Sequence, residues 1–138
     1  MSPRFCSLLF LFLISLSLSS CASQKQAACR HIFWTVKDLN RQLQPFFASR
    51  DSKKVADAIP IFQQHSQKLL NLPHEELRKH REDLANIFLQ YAAVTSDFLS
   101  AKATKDTETV IFSLQKLHSL SQKQSSLLGQ IHLHCQSP

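Results

Sequence analysis

Beyond residue 29 the apolar side chains return at three- and four-residue steps in four successive segments, the spacing of helices with one buried face. In the first, Ile32, Phe33, Val36, Leu39, Leu43, Phe46 and Phe47 make the stripe, and Pro45 is placed to kink or stop it. The second runs from about residue 52 to 72 through Val55, Ala58, Ile59, Phe62, Leu69 and Leu70. Pro60 lies inside it and predicts a bend, or a short helix followed by a longer one. The third is expected to open at Leu72-Pro73-His74-Glu75-Glu76, where a proline and two acids suit the unpaired amides of a first turn. Its face continues through Leu77, Leu84, Ile87, Phe88, Tyr91, Val94, Phe98 and Leu99. The fourth begins near Asp106-Thr107-Glu108 and carries Val110, Ile111, Leu114, Leu117, Leu128 and Ile131. Ser121 and Ser125 make the middle of that face small and polar, and Gly129 hints at close packing.

The gaps between these segments are short, at Ser49 to Asp51, around Asn71 to Pro73, and at Ala103 to Lys105. Short connections make consecutive helices antiparallel, so the expected fold is all-α: an up-down-up-down four-helix bundle over residues 29–138. A single glycine in 138 residues argues against strand-and-turn architectures and removes every glycine-built phosphate cradle and nucleophile elbow. The acids fall mainly at helix starts, where capping explains them, and no catalytic constellation emerges. Glu75, Glu76, Glu82 and Asp83 alternate with Arg78, Lys79 and Arg81, which reads as a solvated helix surface.

Residues 1–20 follow a different rule. Arg4 precedes an apolar stretch, Phe5 to Leu18, of signal-peptide length, too short to span a bilayer as a helix. Leu18-Ser19-Ser20-Cys21 resembles the lipobox of bacterial lipoproteins, an aliphatic and two small residues before the cysteine that becomes the new N-terminus. The resemblance implies diacylglycerol on the Cys21 thiol, usually with an acylated amine, and more than one chain suffices for stable anchoring. With Ala22 next, it implies an outer-membrane address on the periplasmic side in a Gram-negative envelope. Residues 21–28 would then be a lipidated tether. The competing expectation is ordinary cleavage after Ser23, giving a soluble secreted protein that starts at Gln24.

Cys6 leaves with the signal and Cys21 is lipidated or removed, so Cys29 and Cys135 remain as an even pair in an oxidising compartment. In an up-down bundle the start of the first helix and the end of the fourth are neighbours, so a Cys29–Cys135 disulfide is expected. It would close a loop of about 100 residues, contributing roughly 4–5 kcal/mol.

Seven histidines raise a metal reading. His31, His74, His132 and His134 fall toward the disulfide end, His65 and His80 lie on either side of the turn at 71–73, and His118 stands apart. The best candidate ligands are His65 with His80, and possibly His118, since adjacent helices could bring imidazoles toward one ion. The local spacing counts against it: Arg78 stands where H-E-x-x-H needs its second histidine. The architecture also resembles the cytochrome c-prime group of exported bundles. That family attaches haem through C-x-x-C-H on its last helix, and the stretch from His118 to Gln122 has no cysteine. Only non-covalent haem, with His118 or His132 as axial ligand, is compatible with that resemblance.

The formal charge is +6, or +5 from Cys21 onward. Outside the cytoplasm such a balance favours anionic lipid headgroups or acidic envelope polymers, and there is no aromatic–basic interleaving of the kind that binds nucleic-acid strands. Trp34 lies one step off the first stripe, placed to cap a bundle end or to join a contact patch. The expected function is therefore non-catalytic. It is a lipid-anchored envelope protein whose helical bundle binds a partner, with a metal- or haem-handling bundle and a secreted helical signal as the alternatives.

Overall fold

Asp51 and Asp106 each start a helix by accepting a backbone amide, Lys53 N at 2.9 Å and Thr109 N at 3.1 Å, the role expected of Asp106 from its position. In a computed structural model that describes the backbone of residues 4–49 and 51–137, five helices carry the chain. They are α1 (Arg4–Phe47), α2 (Ser52–Ala56), α3 (Ala58–Leu70), α4 (Arg78–Thr104) and α5 (Thr107–Gln136). Side chains are described for residues 24–46, 48, 49 and 51–137. The described residues contain no strand, and no helix among them is long and apolar enough to cross a membrane.

The second segment divides as one of its two expected forms, a short helix then a longer one, with Asp57 at the junction. Pro60 falls in the first turn of α3, where its missing N–H leaves no intrahelical bond unmade. Pro45 is tolerated inside α1, which ends two residues later at Phe47.

The third segment departs from expectation. Pro73 does not begin a helix; residues 71–77 form a loop and α4 begins at Arg78. The cause is Arg81, read from sequence as a surface charge but in fact buried. Its guanidinium donates to the carbonyls of Leu69 at 3.0 Å, Leu72 at 2.6 Å and His74. One acceptor belongs to the last turn of α3 and two to the loop that follows, and a cation there also suits the helix dipole. The loop closes on Leu77, buried and left-handed at φ 63°, a conformation unusual for a residue with a Cβ.

α4 packs along both α3 and α5, while α1 lies against α3 and meets α5 more lightly. Ile32, Leu39, Leu69, Leu84, Phe88 and Ile131 are fully buried between them. Cys29 and Cys135 are bonded, with Sγ atoms 2.02 Å and Cα atoms 6.1 Å apart. The polar run expected as a tether is helical where described: Ala28 is fully buried, and Lys25 Nζ donates to the carbonyl and hydroxyl of Ser137 at 2.7 and 2.9 Å.

The face of α5 is also rotated from the expected one. Ser113, Leu120, Leu127 and Ile131 point inward, whereas Ile111 and Leu114 are each about half exposed. A serine occupies the position where an apolar residue would have marked the true stripe. Gly129 faces solvent, and a Cβ there would meet nothing within 4 Å, so close packing is not its reason.

Candidate functional site

Asp38 is the one acid buried among the described residues. It lies within the α1 stripe and accepts from four donors: Arg41 Nη2 at 2.7 Å, His65 Nε2 at 2.9 Å, Gln42 Nε2 at 3.0 Å and Lys68 Nζ at 3.1 Å. His65 contributes the largest effect and Lys68 the next; together they hold the Asp38 carboxyl far below its ordinary 3.8, against the upward push of burial. The fully buried His65 turns its other nitrogen, Nδ1, to the Ile61 carbonyl at 2.8 Å. This centre ties α1 to α3, and its inaccessible imidazole is a structural tie.

Past this tie, a groove of 620 Å³ opens between the helices. One wall is the second half of α1, through Leu39, Leu43 and Phe46. The floor is Phe62 of α3 stacked on Tyr91 of α4, with ring centroids 5.2 Å apart and planes 13° from parallel. The opposite wall is α5, through Leu114, Leu117, Ser121 and Ser125. The groove exists because small serines on α5 face large apolar side chains on α1 without filling the space between them. Burial raises the Tyr91 phenol above its ordinary 10.0, and a hydrogen bond from the side chain of Ser121 partly opposes the shift. Among the described residues no Asp, Glu, Lys, Arg or His lines the groove. The nearest α1 lining residue, Leu39, is ten positions beyond Cys29, about 15 Å along the helix. The groove thus lies away from the disulfide end, where α1 and α5 are joined.

The histidines do not gather as expected. His65 faces α1 and both its nitrogens are engaged by oxygens, so neither is open to a metal ion. His80 instead lies beside His134, ring centroids 5.9 Å apart. His118 is exposed and shares a hydrogen bond with Gln122 at 3.2 Å. His65, His80 and His118 therefore share no site. Around the disulfide the rings pair differently: His31 Nδ1 lies 3.1 Å from His74 Nε2, and His132 sits edge-on to Phe33. No group of three or more His, Cys, Asp or Glu among the described residues is placed to hold a metal ion. His132, the other axial candidate for haem, bonds Gln136 at 2.9 Å, and neither it nor His118 lines the groove. Cys21 falls within the part of α1 whose side chains lie outside the described residues.

Two of these features had a signal in the sequence. Asp38 sits between Val36 and Leu39, and His65 between Phe62 and Leu69, each a polar residue at a stripe position. The groove had a weaker one, the serines in the middle of α5. In comparisons with known proteins, no family model, no curated protein and no solved structure matches the chain.

Proposed function

We propose that this chain is an exported, non-catalytic binding protein: an antiparallel up-down helical bundle that holds an apolar ligand in the groove between α1 and α5. The observation that carries the reading is the groove itself. Its 620 Å³ is within the range of about 300–1,000 Å³ typical of small-molecule sites, and aromatic and aliphatic walls with a few hydroxyls and amides are the usual lining. The disulfide supports an oxidising compartment. The lipobox-like Leu18-Ser19-Ser20-Cys21 supports a lipid anchor on Cys21, which would hold the domain at a membrane and raise its effective concentration there.

The test is binding of the uncharged fluorophore N-phenyl-1-naphthylamine to the purified protein. Ser125→Trp, which places an indole at the mouth, should abolish the fluorescence gain, while Ser119→Trp on the outside of α5 should leave it intact. Equal binding by both variants rules the groove out as the site. Mass spectrometry of the mature N-terminus addresses the anchor: acyl mass on Cys21 supports it, and an unmodified start at Gln24 replaces it with a secreted protein.

A further inference from the structure

The walls of the groove carry information about charge. About a quarter of the chain is Lys, Arg, Asp, Glu or His, yet among the described residues none of these lines the groove. Where the protein does bury a charge, at Asp38 or Arg81, it surrounds that charge with hydrogen-bonding partners. The groove offers nothing comparable to an ion. Its polar groups are neutral hydroxyls and amides: Asn40, Ser121 and Ser125 are exposed, Gln124 and Tyr91 are half-buried, and Thr95 is buried. Deeper in, Leu39, Leu43 and Phe62 are buried and purely apolar. An ionised headgroup placed there would lose water without gaining a counter-charge, a penalty that excludes it in favour of a neutral analogue.

Resting on the reading of the groove as a ligand site, we propose that its ligand class is an uncharged single-chain amphiphile, a long-chain alcohol or a neutral ester of one. The chain lies between the α1 leucines and the Phe62–Tyr91 floor, and the hydroxyl or ester group meets the amides and hydroxyls at the rim.

The experiment is displacement of N-phenyl-1-naphthylamine from the purified protein by octanol, decanol, dodecanol and, as the charged partner of equal length, dodecanoate at a pH where it is ionised. The alcohols should tighten by roughly fifteenfold for each two methylenes added while the chain still enters the groove. Dodecanol should outcompete dodecanoate by at least about tenfold, the factor set by a single weak charge penalty. Gln124→Lys, which places a cation at the rim, should narrow or reverse that preference. If the fluorophore binds and dodecanoate displaces it as well as dodecanol does, the neutral-ligand inference is overturned while the groove stands as a site. An unchanged preference in Gln124→Lys likewise overturns it, because the rim then does not read charge. If the fluorophore does not bind at all, the groove reading itself fails.

Discussion

Replacing Asp38 with asparagine keeps the shape of the side chain and removes the charge that holds four donors together. The bonds differ in weight. Arg41 is 76% exposed, so its ion pair contributes at most about 1 kcal/mol, and the half-buried Gln42 amide donates to the same carboxylate, a bond that an asparagine oxygen can still accept. The contact that matters is to His65, which has no access to water and whose Nε2 would meet a neutral amide oxygen in place of the carboxylate. A hydrogen bond to a charged group is worth about 1.5–3 kcal/mol against about 1 kcal/mol for a neutral one, and Lys68 loses its counter-charge as well. Asp38→Asn should therefore lower stability by about 2–4 kcal/mol, seen as a lower urea midpoint at neutral pH with an unchanged slope. A cycle with His65→Phe isolates the pair, and the coupling should reach about 1.5–3 kcal/mol. A coupling below about 0.5 kcal/mol, the level of a surface ion pair, would refute the claim that this buried pair ties α1 to α3.

Four further outcomes follow from the same coordinates. Because the folded Asp38 carboxyl is held far below 3.8, its contribution is complete well above that pH and is lost as pH falls through and below it; urea midpoints should decline there in the wild type and decline less in Asp38→Asn. Arg81→Ala removes a buried side chain and the shared donor of the Leu69, Leu72 and His74 carbonyls, and should cost about 3 kcal/mol by thermal or urea unfolding. Cys29→Ser with Cys135→Ser opens a link spanning 106 positions and should cost about 4–5 kcal/mol on the loop-entropy account, a loss that reduction of the wild type should reproduce. Gly129→Ala should stabilise by about 0.5–1 kcal/mol, since the glycine is helical, its φ is not positive and the added methyl meets nothing.

The helical nature of the chain was legible from spacing because periodicity depends only on which residues avoid water, and the cysteine pairing was legible because two thiols remained at the ends of the fold. What spacing could not show was which of two overlapping stripes on α5 turns inward. The stripe of Val110, Ile111 and Leu114 has the greater hydrophobicity, but Ser113 and Leu120 share the inward face with Leu127 and Ile131. A seven-residue step with a serine in it looks weaker than an aliphatic run, and the orientation of the whole helix against α4 decides between them. The start of α4 was illegible for a related reason. Proline and acids at 73–76 satisfy every local rule for a helix start, and they lose to a residue several positions later, Arg81, whose reach to the end of α3 exists only in the assembled fold. The histidines illustrate the limit of placement by helix position alone. Depth along the axis put His65 and His80 level, but rotation about the axis directs one toward α1 and the other toward α5.

The rotation of α5 has a consequence for binding. With Ser113 and Leu120 turned inward, Leu114 is left at the groove wall and Ile111 and Phe112 outside it, 52% and 61% exposed. Ser121 and Ser125 share the face of Leu114, so turning that face inward would set the same small side chains against α1. The groove is thus made possible by serines where a tightly packed bundle would carry leucines. Near the disulfide Leu127 and Ile131 turn inward and α5 packs against the core. Fixed points are thus spread along the helices: the disulfide and Arg81 hold one end, and Asp38 and His65 tie α1 to α3 further along. Anchored on both, the remaining half can keep an apolar groove open without collapsing onto it.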